Sequence, residues 1–208
     1  GIMSFDVWVA FAGVWLFILL SPGPNAAFCI ATGARLGAKA GMVAALGVVS
    51  AVAILLTATA SGLGALMLAS ATLFEAIKWI GVGYLVWLGI SQWRAPVADH
   101  TDGLPVPRRM RRIFLQAFMI ALTNPKAFIL YALLLPPFID SDSSATGQFL
   151  WLGITAIAMT LMVYGVYSLI GGRLSGLFGS LASRRWRNRG FGTFFIMAGA
   201  AMAFAERR

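Results

Sequence analysis

The sequence is poor in residues that carry metal, redox or nucleophilic chemistry. It contains one cysteine, Cys29, and one histidine, His100, so it can form no internal disulfide. A transition-metal site would need several Cys or His ligands. No paired nucleophile and general base is apparent either. We therefore expect a protein that is not an enzyme and that holds neither a metal nor a cofactor.

Charged residues are also scarce, and long apolar runs take their place. Charged side chains make up 11% of the 208 residues and hydrophobic ones 60%, with a mean hydropathy of +0.85. A soluble domain has about 25% charged residues. Residues 40–69 carry no charge, and about 20 apolar residues suffice to span a bilayer. The composition predicts an all-α integral membrane protein, with a single membrane domain over residues 1–208.

The net charge of +9 favours a membrane orientation over a nucleic-acid partner. Most basic residues lie in alternate short connections between apolar runs, and such positive loops mark the cytoplasmic face. Both termini then lie outside if six segments cross, and the C-terminus lies inside if the last one does not. A basic linker at 184–189 can also contact anionic lipid, although orientation explains it at least as well. The basic connections hold Arg35, Lys39, Arg94, Arg108, Arg109, Arg111, Arg112, Arg173, Arg184, Arg185, Arg187 and Arg189.

The apolar runs predict six transmembrane helices. They cover about residues 5–35, 40–68, 74–93, 113–135, 148–174 and 190–205, and a polar cytoplasmic loop covers 94–112. With three spans in each half, the second half enters the membrane from the opposite side. We therefore predict two inverted three-helix repeats, at about 5–93 and 113–205.

Prolines interrupt the first and fourth predicted spans far from their ends. Proline removes a backbone donor and clashes with the preceding turn, so both spans should be broken helices. Backbone groups freed in hydrocarbon must be satisfied by protein or water, and a broken helix in each half indicates a substrate site. The predicted substrate-binding residues are Ser21, Pro22, Gly23, Pro24, Asn25, Asn124, Pro125 and Lys126.

The first break offers hydrogen-bond acceptors and donors at one place. It leaves carbonyls near Leu19, Leu20 and Ser21 without partners in their own helix, while the next half-helix presents N–H groups near Asn25 and Ala26. The acceptors suit an ammonium and the donors a carboxylate, and the helix ends add partial charges of matching sign. A zwitterionic amino acid requires both.

The second break brings a positive charge into the membrane. Asn124 is a favoured N-cap and Pro125 a favoured first helical residue, and Lys126 follows them. A charged side chain inside the membrane is costly, so its presence suggests a functional role. Three roles stay open for Lys126: binding a substrate carboxylate, pairing with carbonyls of the first break, or extending its amine to water. No acidic residue is predicted in mid-membrane, so Lys126 is also a candidate titrating group.

Small and hydroxyl residues recur through the spans, and packing is the simplest account of most of them. Gly33, Gly37 and Gly41 are four residues apart, which lets helix backbones approach closely in lipid. Most serines and threonines are expected to bond to carbonyls of their own helix. The polar residues predicted to reach a cavity are Ser21, Asn25, Thr32, Ser50, Thr57, Thr59, Thr123, Asn124, Tyr131, Thr155, Thr160 and Tyr164.

Several stretches resemble the lysine-exporter/RhtB (LysE-type) family of amino-acid exporters. They are residues 20–25 (Leu-Ser-Pro-Gly-Pro-Asn), 33–37, 44–47, 80–89, 122–127 (Leu-Thr-Asn-Pro-Lys-Ala) and 136–138. The resemblance covers nearly the whole chain. It implies a small multi-pass exporter of basic or neutral amino acids in the bacterial inner membrane, driven by the proton gradient and compatible with a homodimer.

The leading hypothesis from the sequence is therefore amino-acid export by alternating access. In this scheme the substrate binds between the breaks at 21–25 and 124–126, and one repeat rocks against the other. The alternatives are a membrane carrier for another small metabolite or a metal ion, a redox membrane protein, and a membrane enzyme or scaffold that transports nothing.

Overall fold

The described part of the chain is built from α-helices. A computed structural model describes residues 3–21, 23–62, 66, 69–95, 106–139, 144–177 and 180–204; of residues 125, 126, 128, 129, 133 and 136 the backbone alone is described. Short 3₁₀ turns lie at Pro136–Phe138 and Ser175–Leu177. The α-helices of these residues are α1 (Phe5–Leu20), α2 (Pro24–Leu36), α3 (Ala38–Ala60), α4 (Ala71–Arg94), α5 (Val106–Leu122), α6 (Pro125–Leu134), α7 (Ala145–Leu174) and α8 (Leu181–Ala203).

Both proline-containing spans are broken where the sequence predicts. α1 and α2 meet at a bend of 59°, and two residues lie between the end of α5 and the start of α6. Pro24 and Pro125 each occupy the first position of the second half-helix, where the missing N–H breaks no helical hydrogen bond and the fixed φ suits the helix. The all-α class and the two broken helices are thus confirmed, while Pro22 lies outside the described residues.

Three helix boundaries differ from the prediction. α3 ends at Ala60 rather than near residue 68, because Gly62 adopts a φ of +96° just past the helix. α5 already begins at Val106, so residues 106–112, predicted as loop, are helical; arginines are good helix formers and Pro107 lies in the first turn. The basic linker 184–189 belongs to α8, which starts behind the N-cap Ser180.

Glycines set the close contact between α2 and α7. A Cβ built on Gly33 would meet the Ser168 carbonyl oxygen at 2.5 Å, and one on Gly171 would collide with the Ile30 carbonyl. The two helices therefore touch backbone to backbone, as small residues allow in lipid. Gly37, predicted to pack in the same way, instead adopts a φ of +90° and forms the turn between α2 and α3.

α1 runs parallel to α7, against which it packs. The indole N–H of Trp8 donates to the Thr155 hydroxyl at 3.0 Å, and that of Trp15 donates to the Thr160 hydroxyl at 3.2 Å. Residue numbers rise together along the two helices, which fixes their common direction. Trp15 is fully buried, so this contact belongs to the core of the bundle.

α4 and α8 run antiparallel along most of their lengths. Gly89 lies against Gly192 and Ile196, whereas Gly81, earlier in α4, lies against Met202, later in α8. Numbers therefore rise along one helix as they fall along the other. The contact spans Gly81 to Gly89, about 12 Å of helix at 1.5 Å per residue, so α8 accompanies α4 deep into the bundle.

Three described helices are long and apolar enough to cross a membrane: Ala38–Ala60, Ala71–Arg94 and Ala145–Leu177. The bent pair of α1 and α2 counts as a fourth if its halves form one span. α5 has four arginines in its first seven residues and α8 has four in its first nine. Neither helix therefore has an apolar stretch long enough to be counted as a membrane span. The number of spans that length and composition support is thus three or four, and the six-span repeat stays a prediction.

Basic helix ends gather at one end of the bundle. The last turns of α2 and α4 and the first turns of α5 and α8 contribute arginines to two adjacent cavities, lined by Arg35, Arg94, Arg109, Arg112, Arg184 and Arg187. The acidic residues in the described part, Asp6 and Glu75, lie near the starts of α1 and α4, at the far ends of those spans. Glu75 is paired there with the buried Lys78, at 2.9 Å between nitrogen and oxygen, so the arginines are concentrated at one end of the bundle while the other end holds an ion pair and Asp6.

Candidate functional site

At the first break, several backbone groups at the end of α1 already have partners. The Ser21 N–H donates to the Phe17 carbonyl at 3.1 Å and the Ile18 carbonyl at 3.2 Å, and the Ser21 hydroxyl donates to Phe17 at 3.0 Å. The Tyr167 hydroxyl of α7 donates to the Leu19 carbonyl at 3.2 Å. The Leu19 carbonyl, predicted to lack a partner in its own helix, is thus bound by a tyrosine that the sequence reading missed.

The start of α2 lines an apolar cavity of about 480 Å³. Gly23 is the extended N-cap of α2, and its carbonyl accepts the first helical hydrogen bond, from Ala27, at 3.0 Å. Ligand pockets commonly hold about 300–1,000 Å³, so a small metabolite fits. The described lining residues come from the break, α7 and α8: Leu20, Gly23, Ala26, Ala27, Ile30, Tyr167, Arg187, Gly190, Phe191 and Phe194.

Asn25 holds a buried side-chain oxygen that has no hydrogen-bond partner among the described residues. Its side chain interacts with the hydroxyl of Tyr164 on α7, which also lies near Tyr131 on α6 and Cys29 on α2. Tyr131 and Tyr164 are 7% and 8% exposed. An unmade hydrogen bond on a buried group costs about 1–3 kcal/mol, and each such group in a native structure requires an explanation. A ligand that donates to this oxygen would supply one.

The second break packs against α4. The Thr123 carbonyl lies in direct contact with Gly81, where a Cβ would not fit. Asn124 directly precedes α6 and is half-buried; its N–H approaches the Ala121 carbonyl at 3.4 Å, and its carbonyl accepts from Ala127 at 3.1 Å. The backbone of this break is thus tied to the ends of α5 and α6.

Three predicted site residues lie wholly or partly outside the described part of the chain. Pro22 is not described at all, and Pro125 and Lys126 are described by their backbone alone, in the first turn of α6. The roles predicted for the Lys126 side chain are therefore neither supported nor opposed by the structure.

Aromatic contacts join the second half-helix α6 to the first broken span. The rings of Trp15 and Tyr131 lie 5.0 Å apart between centroids, and those of Phe11 and Phe138 lie 5.5 Å apart. Tyr131 follows Lys126 by five residues, about 7.5 Å along the helix. The structure thus places α6 beside α1 and connects the two halves through Tyr131 and Tyr164. The described lining of the apolar cavity includes no residue of the second break.

Hydroxyl side chains inside the helices bond to their own backbone, which confirms the prediction for most of them. Each donates to the carbonyl four residues earlier, at 2.6–2.8 Å, in the cases of Ser50, Thr57, Thr59, Thr123, Thr155 and Thr160. Of the residues predicted to reach a cavity, the ones that gather around the α2–α6–α7 interior are therefore Asn25, Tyr131 and Tyr164.

A polar cavity of about 340 Å³ lies between α2, α4 and α5, and the sequence reading did not foresee it. Its lining includes Thr32, Gln92, Arg112 and Arg35, whose guanidinium donates to the Gln92 side-chain oxygen at 2.9 Å. Thr32 and Asn25 are seven residues apart, two turns along one face of α2. In the described residues no group of three His, Cys, Asp or Glu side chains could hold a metal ion, so the cavity offers hydrogen bonds and charge.

Comparisons of the sequence with known proteins find relatives over nearly the whole chain. The family model of the LysE type translocators matches residues 16–206. The homoserine/homoserine lactone efflux protein of Salmonella typhimurium is 32% identical over 204 residues, which cover 98% of this chain and 99% of that protein. The leucine efflux protein of Enterobacter sp. is 30% identical over 173 residues, or 83% and 81% of the two chains. No solved structure matches significantly.

Proposed function

Because this chain belongs to the family of LysE type translocators, and is therefore a transporter rather than an enzyme, we propose that it exports a neutral amino acid, or a small relative of one, across the bacterial inner membrane. The observation that carries the proposal is the pair of proline-broken helices, each with its second half beginning at proline. Relatives named for the efflux of homoserine, homoserine lactone and leucine support a neutral substrate over a basic one.

The proposed substrate site lies between the two breaks, at Ser21–Asn25 and Asn124–Lys126. The ammonium of the substrate donates to the buried oxygen of Asn25, which the structure leaves without a described partner. The carboxylate accepts from the N–H groups at the starts of α2 and α6, where helix dipoles favour an anion, and pairs with Lys126. Tyr164, which interacts with Asn25, and its neighbour Tyr131 complete the polar wall.

The substrate side chain occupies the apolar cavity at the first break. Gly23 at the start of α2 lines that cavity together with Phe191 and Phe194 of α8. An apolar pocket of this size accepts leucine or homoserine lactone but discriminates by only about 1–3 kcal/mol per methylene. We therefore expect a preference for neutral substrates with limited selectivity among them.

The transporter has six crossings in two inverted repeats. The parallel pair of α1 and α7 and the antiparallel pair of α4 and α8 support this topology, because alternating crossings give the first and fifth spans the same direction and the third and sixth opposite ones. The basic helix ends face the cytoplasm. Both termini then lie outside, and α8 completes the sixth crossing beside α4.

Transport proceeds by alternating access around this site. The polar cavity between α2, α4 and α5 is the cytoplasmic entrance, since it lies among the basic helix ends and reaches along α2 toward Asn25. Arg35, held by Gln92, meets the substrate carboxylate there first. The oxygen of Asn25 is buried, so one repeat must move against the other before the substrate reaches it.

The proton gradient drives export in this scheme. Asp6 and Glu75, the described acidic residues, lie near helix starts at the outer end, so a mid-membrane carboxylate relay has no support in the described part of the chain. Because an inward proton gradient must drive an outward substrate, the coupling takes the form of antiport, in which protons enter as the amino acid leaves.

Transport by purified protein in proteoliposomes tests the proposal. Vesicles loaded with unlabelled leucine or homoserine should accumulate the labelled compound by counterflow, and an imposed pH gradient should increase the rate. Labelled lysine should stay near the level of empty vesicles. If no amino acid or lactone is accumulated above empty vesicles, with or without the gradient, the proposal is wrong.

A further inference from the structure

A third cavity lies among the basic helix ends, on the other side of Arg35 and Arg109 from the cytoplasmic entrance. It holds about 320 Å³, and its wall includes Arg35 of α2, Arg109 of α5, and Arg184 and Arg187 of α8. We call the cavity that these four residues line the arginine cavity. Ser175, just after α7, completes the wall. Three helices and the turn after α7 thus contribute to one basic pocket, whereas topology alone would require only that the arginines be cytoplasmic.

Arg187 is fixed in this pocket rather than extended to solvent. It is 7% exposed, and one of its terminal nitrogens donates to the Ala34 carbonyl at 3.1 Å. The neighbouring Asn188 side-chain oxygen accepts from two other guanidinium nitrogens, at 3.3 and 3.4 Å. Burial of the guanidinium, and then the positive charges of Arg35 and Arg184, lower the pKa of Arg187 to about 10. Arg187 precedes the apolar part of α8, so an anion that enters the pocket meets a preformed charge.

The helix dipoles add to the positive potential of this pocket. Arg109 lies in the first turns of α5, and Arg184 and Arg187 lie in the first turns of α8. The start of a helix carries a partial positive charge and favours anions over cations. Two helix starts and four guanidinium groups of the same sign therefore meet at one place, which an anion would stabilise from every side.

We propose that the arginine cavity binds a phosphate monoester or diester that carries a net negative charge. Guanidinium forks match phosphate oxygens with paired hydrogen bonds. A volume of about 320 Å³ accommodates a phosphate with a short glycerol attached. The arginine cavity shares Arg35 and Arg109 with the proposed cytoplasmic entrance. Phosphate binding is measured without transport, so failure of this proposal can be distinguished from failure of the proposed function.

The phosphate comes either from an anionic lipid headgroup or from a soluble phosphate, and the surroundings favour the lipid. Leu177, Leu181 and Trp186 lie next to the cavity residues in sequence and expose 74%, 60% and 72% of their surface. Such side chains belong at an interface where acyl chains begin, and the cytoplasmic leaflet is the anionic one.

Ligand binding to the purified protein in detergent tests the site. The probes are short-chain phosphatidylglycerol, glycerol 1-phosphate, and short-chain phosphatidylcholine as the zwitterionic lipid, and the readout is the saturable shift in melting temperature. Arg109→Gln and Arg184→Gln remove charge from the cavity. Arg111→Gln and Arg185→Gln remove the same charge from exposed neighbours on the same helices that are not among the cavity residues.

We expect phosphatidylglycerol to bind the wild type and to bind both cavity variants at least tenfold more weakly, with less than a twofold change in the two control variants. Arg184→Lys keeps the charge but loses the planar group that forms paired hydrogen bonds, so we expect an intermediate loss of affinity. This variant tests the site even if the neutral Gln variants fail to fold. If glycerol 1-phosphate binds as tightly as phosphatidylglycerol, the phosphate site is supported and its ligand is a soluble phosphate. Equal losses in cavity and control variants, phosphatidylcholine binding as tightly as phosphatidylglycerol, or no phosphate binding at all, would overturn the proposal.

Discussion

Asn25 combines two properties that ordinary packing residues do not share. Its side-chain oxygen is buried without a described hydrogen-bond partner, and it lies beside Tyr164 and Tyr131 at the meeting point of both halves. Other polar side chains within the helices, such as Ser50 and Thr160, bond to their own backbone. A native structure keeps a costly buried group of this kind where a ligand or a movement uses it.

Asn25→Ala should separate transport from stability. A hydrogen bond to a charged group contributes about 1.5–3 kcal/mol, so we expect leucine or homoserine transport to fall about 10- to 100-fold. The melting temperature should change little, because loss of the interaction with Tyr164 is offset by removal of the unsatisfied oxygen. Ser50→Ala, which removes a hydroxyl bonded to its own helix, should transport normally. Wild-type rates in Asn25→Ala would remove Asn25 from the substrate site.

At the scale of single helices, close backbone contacts hold the bundle together. α7 packs on α2 at Gly171 and Gly33, and α8 packs on α4 at Gly192 and Gly89. Association of helices in lipid depends on such contacts, since burial of apolar surface gains little there. A single added methyl group should therefore separate the helices.

Gly171→Ala should destabilise the protein, because the new Cβ would collide with the Ile30 carbonyl. Overpacking of this kind costs about 1–3 kcal/mol. Gly153→Ala, on the same helix with no described atom within 4 Å of its Cβ, is the matched control and should be neutral or stabilising. Thermal unfolding in detergent compares the two variants. A melting temperature for Gly171→Ala at or above that of Gly153→Ala would contradict the packing described here.

The sequence predicts the helix breaks well, because proline acts on the turn that contains it. Pro24 and Pro125 begin α2 and α6 where expected. Helix ends set by other means differ from the prediction: the charge of residues 108–112 marks topology and predicts a loop, yet arginine is also a good helix former and these residues are helical. The bond from Tyr167 to Leu19 joins residues 148 positions apart, and no local pattern reveals such a contact.

At the scale of the whole molecule, helix directions and charge give one orientation. α1 is parallel to α7 and α4 is antiparallel to α8, and the basic ends share one side of the bundle. The homodimer that the family resemblance allows stays a prediction, as does the sixth crossing. Labelling of single cysteines in intact membranes can decide whether α8 crosses.

Single cysteines in a Cys29→Ser background should report this orientation. Ser144→Cys and Phe204→Cys should react with a membrane-impermeant maleimide in intact spheroplasts, because both positions are predicted to lie outside. Ser180→Cys, at the start of α8, should react after lysis alone. Labelling of Phe204→Cys after lysis alone would show that α8 does not cross, and the inverted repeat would then be incomplete.

The most direct test of the central claim is counterflow of labelled leucine or homoserine in proteoliposomes, measured for Lys126→Ala against Lys39→Ala. Lys39 is an exposed lysine near the start of α3, so its variant controls for the loss of one positive charge. We predict that Lys126→Ala is inserted and purified normally yet transports neither substrate above empty vesicles, while Lys39→Ala keeps the wild-type rate. Wild-type transport by Lys126→Ala would contradict a substrate site between the two broken helices.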